Sequence, residues 1–151
     1  MLVVGRPAPR CRFGDRIIVA SSGLERSDEL VDFATNVAAR LNGSLTYLHA
    51  IHAESSRQPA RIAAQVGCVT RALGERASVR IEPERARDLI VRTAAEEQCS
   101  LIIVSSRRVG GIRALGSVSE RVVHDSPCSV LVVRPEDLHY EAPLASAPAA
   151  Q

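Results

Sequence analysis

The sequence predicts an α/β domain, in which a five-stranded parallel β-sheet is covered by helices on both faces. Short apolar runs rich in Val and Ile alternate with stretches whose apolar residues recur at helical spacing. Aromatic residues make up only 3% of the chain and Trp is absent, so the core must be built from aliphatic side chains. Such side chains suit buried parallel strands and Ala-rich helices. The length of 151 residues favours one domain with one core.

The N-terminal half is predicted to contain two strands and two helices. Residues 16–20 (RIIVA) are a short apolar run between turn residues, which is typical of a buried strand. The helix that follows is indicated by an apolar stripe: Leu30, Phe33, Ala34, Val37, Ala38 and Leu41. It ends at Asn42, a residue that tolerates the left-handed cap conformation, and residues 44–51 form the second strand. After a polar loop, a second amphipathic helix is indicated by Ile62, Val66, Val69 and Leu73.

The C-terminal half is predicted to contain three further strands and two helices. Residues 77–81 alternate apolar with polar side chains, as an exposed edge strand does. Pro83 opens a third helix. Residues 101–104 form a strand that is apolar throughout, and a glycine-bearing loop then leads into a short helix over about 116–125. The last strand spans residues 129–133. For strands and helices that alternate in this way, parallel strand pairing with right-handed crossovers is the simplest topology.

The domain is expected to span residues 15–135, after an N-terminal extension over 1–14. Residues 136–151 are rich in Pro and Ala and lack periodicity, so they are expected to form a disordered tail. The extension lacks the basic and apolar regions of a signal peptide, and no apolar run is long enough to span a bilayer. We therefore expect a cytoplasmic protein.

Charge and cysteine usage exclude several classes of function. The formal net charge is +2 and the basic residues are dispersed without interleaved aromatics, which argues against nucleic-acid binding. The four cysteines, at positions 11, 68, 99 and 128, form no CxxC pair, so neither a zinc site nor a disulfide framework is indicated. We expect reduced and mostly buried thiols. No general acid–base pair stands out: His49 and His52 flank the end of the second strand without a carboxylate partner in a recognisable motif.

Two loops at the carboxyl edge of the predicted sheet are the candidate ligand site, because ligands bind there in open parallel sheets. The candidate residues are Ser22, Gly23, Ser105, Ser106, Arg107, Gly110, Gly111, Gly116, Ser117, Val118 and Ser119. Glycines permit close approach, and the helix that begins near Ser117 offers free amides to an anion. The alternative is purely structural: residues 117–120 (SVSE) are a capping box that satisfies the helix's own amides. The loop is neither a P-loop nor a GxGxxG turn.

Three segments resemble the universal stress protein family: residues 101–107 (LIIVSSR), 115–123 (LGSVSERVV) and 126–134 (SPCSVLVVR). The start of the chain, from residue 16 to Gly23 and the helix after it, is also similar to that family. The resemblance covers about residues 15–135. Together with the preference of ligands for the point where strand order reverses, it implies the strand order 3-2-1-4-5.

Many members of that family bind ATP through Gly, two residues, Gly, nine residues and Gly-Ser, with an Asp after the first strand. Here Ser105 and Arg108 stand at the two glycine positions, and only seven residues separate Arg108 from Gly116. Ser22 stands where the Asp is expected. Loss of a charged acceptor and of loop glycines predicts a degenerate nucleotide site that requires no cofactor. ATP or another adenine nucleotide remains a candidate ligand.

The resemblance also implies a homodimer. In the expected strand order the last strand is apolar yet lies at a sheet edge, which invites pairing. Pairing across a two-fold axis would involve Val130, Leu131, Val132 and Val133. We expect a non-enzymatic, universal-stress-type regulatory module that acts with an unknown protein partner. The alternatives are an ATP-binding stress protein with slow hydrolysis, and the cytosolic regulatory domain of a membrane transporter.

Overall fold

The computed structural model describes residues 2–4, 11–51, 58–106, 117–134 and 138. Within these residues lie six strands and four α-helices. The strands are β1 (Leu2–Val3), β2 (Arg16–Ser21), β3 (Ser44–Ala50), β4 (Ala77–Glu82), β5 (Leu101–Ser105) and β6 (Ser129–Val133). The helices are α1 (Arg26–Leu41), α2 (Pro59–Leu73), α3 (Ala86–Glu96) and α4 (Ser117–Asp125), and a short 3-10 helix, Gly74–Arg76, follows α2.

The strands form one sheet in the order β1-β6-β5-β2-β3-β4, with every neighbouring pair parallel except β1 and β6. The α/β class is therefore confirmed, and the five predicted strands keep their expected relative order. The predicted number of strands is wrong, because the N-terminal extension supplies a sixth. A two-residue strand is too short for any periodicity to indicate it.

The extra strand also changes the edge of the sheet. Leu2 pairs antiparallel with Leu131, and Val3 with Val130. The prediction that the last strand lies at the sheet edge is therefore wrong: β1 covers β6 and is itself the edge. The side chains of Val130 and Val132 are already buried in the core of this one chain, at 0% and 3% exposure. A partner chain is not needed to remove them from water.

Helices cover both faces of the sheet, as the sequence predicts. On one face α1 and α2 pack their apolar stripes on β2 and β3, around Leu30, Tyr47 and Val69. On the other face α3 and α4 pack around Leu89 and Val122. The remaining buried residues of both cores are Val, Ile, Leu and Ala, and the second core also contains Cys99 and Cys128. None of the described helices combines the length and apolarity that a bilayer span requires.

Candidate functional site

The ends of β2 and β5 bring the two candidate loops to the same edge of the sheet. β2 and β5 are paired in parallel from Ile17 and Leu101 to Val19 and Ile103, and the two strands end at Ser21 and Ser105. The Ser119 hydroxyl, at the start of α4, donates to the Ser105 carbonyl oxygen at 3.4 Å. The Ser106 amide donates to a carbonyl of β6 at 3.0 Å. The structure thus brings Ser119 to the end of β5, the strand that neighbours β2 in the sheet.

Ser22, the residue expected to replace an aspartate, is exposed and is bound to the start of α1. Its hydroxyl lies 2.7 Å from the Ser27 hydroxyl, and its amide donates to Ser27 Oγ at 3.0 Å. The Leu24 amide donates to Ser22 Oγ at 3.4 Å. Ser22 therefore closes a local turn at the entrance to α1. It offers a ligand no charge.

Gly23 is needed where it stands for two independent reasons. Its φ of +74° lies in the left-handed region that side chains disfavour. A Cβ at this position would also lie 2.9 Å from His49 Cε1 and 3.1 Å from Ile62 Cγ1. The loop can follow this path only because residue 23 has no side chain, and the path brings its backbone against β3 and α2.

A buried polar network lies beneath the first loop, with the Gln65 side chain at its centre. The hydroxyls of Ser21 and Tyr47 both donate to Gln65 Oε1 at 2.7 Å. Gln65 Nε2 donates to Asp28 Oδ1 at 2.5 Å and to the Leu24 carbonyl at 3.4 Å. Burial raises the pKa of Tyr47, so its hydroxyl stays protonated and remains a donor. The network ties the loop after β2 to α1, α2 and β3.

Each oxygen of the Asp28 carboxylate has a partner in this network. Its second oxygen, Oδ2, pairs with the Arg61 guanidinium of α2. Glu25, the residue before α1, is exposed and makes no side-chain bond to the helix start. Asp28, the next acid along the chain after Glu25, therefore joins α1 to α2.

Sequence reasoning missed Gln65, Asp28 and Arg61. One signal could have revealed Gln65, because it lies three residues after Ile62 and four before Val69, on the stripe of α2 that faces the core. A polar residue at such a position must find buried partners. The partners themselves come from other elements, so the sequence spacing does not identify them.

Part of the predicted site lies outside the described residues. This holds for Arg107, Arg108, Gly110, Gly111 and Gly116 in the second loop, and for His52. α4 begins at Ser117, and the Val118 side chain is exposed. His49 is buried, and its Nδ1 lies 3.0 Å from the Ser21 carbonyl oxygen. It therefore supports the first loop from below, on the α2 side of the sheet.

The four cysteines are free thiols. Cys99 and Cys128 are buried, and burial raises their pKa values to about 12 and about 11. Cys11 and Cys68 are half-buried, so the expectation of mostly buried thiols holds for two of the four. A hydrogen bond to Asp32 raises the pKa of Cys68. In the described ranges, no three His, Cys, Asp or Glu side chains are grouped so that they could hold a metal ion.

Comparison with known proteins gives one family. The model of the universal stress protein family matches residues 14–134. A universal stress protein in complex with cAMP is 25% identical with a TM-score of 0.63, and the match covers 80% of this chain and 97% of that one. One from Archaeoglobus fulgidus is 27% identical with a TM-score of 0.66, over 81% of this chain but only 44% of the other. UspA from Lactobacillus plantarum is 17% identical with a TM-score of 0.60, and the match covers 82% of this chain and 100% of that one. At this identity the likeness supports the fold alone. No curated protein matches the chain.

Proposed function

The chain belongs to the universal stress protein family, and from that premise we propose that it is a dimeric regulatory binding module with a weakened nucleotide site and no catalytic activity. The observation that carries this proposal is the absence of a carboxylate at position 22, in the described loop after β2. Ser22 stands where ATP-binding relatives have an aspartate, and its hydroxyl is held by Ser27 at 2.7 Å. Asp28, the first acid within α1, is paired with Arg61 and Gln65.

The energetic consequence follows from the chemistry of a charged acceptor. A hydrogen bond to a carboxylate contributes about 1.5–3 kcal/mol, and a neutral serine that is already bonded contributes much less. Since about 1.4 kcal/mol corresponds to a tenfold change in affinity, the loss of the carboxylate weakens ATP binding by one to two orders of magnitude.

The lack of catalysis is supported by the groups around the two loops. The Ser21 hydroxyl donates to Gln65 Oε1, and the Ser22 hydroxyl is bonded to the Ser27 hydroxyl. The His49 imidazole is bound to the Ser21 carbonyl oxygen through Nδ1. The two serine hydroxyls of the first loop are therefore bonded to neutral groups that cannot act as a general base.

Calorimetric titration of the wild-type chain and of Ser22→Asp with ATP and Mg²⁺ tests the weakened site. We expect millimolar or weaker binding by the wild type, and at least tenfold tighter binding by Ser22→Asp, whose carboxylate can still accept from Ser27. Ser22→Asn is the uncharged control and should not gain affinity. Micromolar binding of ATP by the wild type, or hydrolysis of ATP above the buffer rate, would overturn the proposal.

A second candidate function, binding of a cyclic adenine nucleotide, has a specific observation in its favour. The 25% identical relative was solved in complex with cAMP. A thermal-shift series separates the two candidates. At a hundred times its Kd a ligand stabilises the fold by about 2.7 kcal/mol, which for a domain of this size raises Tm by about 5–10 °C. A rise with cAMP but not with ATP would favour the cyclic nucleotide.

The proposed homodimer pairs β6 with β6 of a second copy, which requires β1 to leave. β1 has two residues, and Leu2 remains 48% exposed, so its hold on β6 is small. Light scattering on the full chain and on a variant that lacks residues 1–10 tests this. We expect the shortened variant to be dimeric at lower concentration than the full chain. A shortened variant that stays monomeric at 100 µM would refute pairing through β6.

A further inference from the structure

An apolar cavity lies between α2 and the outer strands β3 and β4. Its volume is about 580 Å³. Aliphatic side chains line it: Ile51, Ile62, Val66, Val79 and Ile81, with His49 as the polar group. A volume of this size, mostly apolar and with very few polar groups, is typical of sites for small organic ligands.

Three of the lining side chains reach solvent at the mouth of this cavity. Ile51, Val79 and Ile81 are 38–40% exposed. Ile51 directly follows β3, and Val79 and Ile81 are alternate residues of β4, paired with Tyr47 and His49. The two β4 residues therefore lie on the same face of the sheet as His49. Exposed large aliphatic residues that cluster around a concave surface mark a binding site more often than single ones do.

His49 gives the cavity one specific polar group. The side chain is only 6% exposed, and its Nδ1 lies 3.0 Å from the Ser21 carbonyl oxygen. A carbonyl only accepts, so in the neutral ring Nδ1 carries the hydrogen and Nε2 is an acceptor. Among the described residues, none donates to Nε2. Nε2 is reached by solvent, since Thr93 Oγ1 is the one fully buried side-chain N or O atom of the described residues that lacks a partner. A ligand donor at Nε2 would therefore replace water and would be the directional contact of the site.

We propose that this cavity binds a small, mostly apolar organic molecule that carries one hydroxyl or N–H donor directed at His49 Nε2. The aliphatic wall accepts the body, and the single acceptor fixes its orientation. Recognition here depends on the donor and not on charge, because the cavity wall carries no ionised side chain among its described lining residues. The cavity adjoins the first loop, since Gly23 lies against His49 and Ile62, but no residue of that loop is among its described lining residues.

The probes are 2-naphthol and 2-methoxynaphthalene, which share an apolar body but differ in the donor. The chain contains no Trp, so the fluorescence of either probe reports its binding without overlapping protein emission. We expect 2-naphthol to bind about two- to tenfold more tightly, the factor that one ordinary hydrogen bond gives. His49→Phe keeps a ring but removes the acceptor, and should reduce this ratio to about one.

A matched pair of variants on β4 shows where the probe binds. Val79→Asp places a charge in the cavity wall, whereas Ser78→Asp places the same charge on the opposite face of the same strand. Val79→Asp should weaken 2-naphthol binding at least tenfold and Ser78→Asp should leave it unchanged. Absence of 2-naphthol binding, equal binding of both probes, or equal weakening by the two Asp variants would each overturn the proposal.

Discussion

Replacing the buried Gln65 with leucine is expected to destabilise the fold strongly. Two buried hydroxyls, those of Ser21 and Tyr47, depend on its Oε1 as their acceptor, each at 2.7 Å. Each buried donor left without a partner costs about 1–3 kcal/mol, and the apolar contacts that leucine adds offset part of the combined cost of the two hydroxyls. We expect a net loss of about 2–4 kcal/mol, which lowers Tm by about 5–15 °C.

A double-mutant cycle with Tyr47→Phe separates the network from a general packing effect. Without the tyrosine hydroxyl, Gln65→Leu leaves only the Ser21 donor unsatisfied, so it should cost about 1–2 kcal/mol less than in the wild type. Urea unfolding of the wild type, both single variants and the double variant measures this coupling. A coupling energy near zero, with Gln65→Leu costing under about 1 kcal/mol, would refute the argument that Gln65 satisfies both hydroxyls.

Three further predictions concern stability. Gly23→Ala should lower Tm by several degrees in thermal unfolding, because the new Cβ would lie 2.9 Å from the buried His49 ring. Gly74→Ala is the control: its φ is also positive, but nothing lies within 4 Å of the new Cβ, so its Tm should fall less. Equal falls in Tm for the two variants would contradict this argument. Thr93→Val should raise Tm by about 2–4 °C, because the buried Thr93 hydroxyl has no hydrogen-bond partner among the described residues. A fall in Tm would show that the hydroxyl is hydrogen-bonded. Arg92 lowers the pKa of Glu82, so this pair's contribution is present above about pH 4.5 and is lost as the pH falls through the lowered pKa. Urea unfolding of Arg92→Gln should therefore show a larger deficit at pH 7 than at pH 3, and an equal deficit would exclude the ion pair as its source.

The parts of the fold that follow from periodicity could be predicted from the sequence. β6 has the predicted bounds, and β2 and β5 each extend the predicted strand by one residue. β1 could not be predicted, because two residues carry no period and its pairing depends on a partner about 130 positions away in sequence. Of the candidate site, the loops could be located from the ends of the strands. The network around Gln65 could not, since its members are adjacent only after α1, α2 and β3 have packed.

The pairing of β1 with β6 has a consequence for biosynthesis. A ribosome makes β1 before β6 in any chain that contains both, and almost the whole domain must emerge before Leu2 can meet Leu131. During that interval the nascent strand has no partner, and the sheet closes at this edge last. Contacts between residues so distant in sequence slow folding, because closure of the intervening loop is entropically costly. The junction of β1 and β6 is therefore the point at which newly made copies of this chain are most exposed to mispairing with one another.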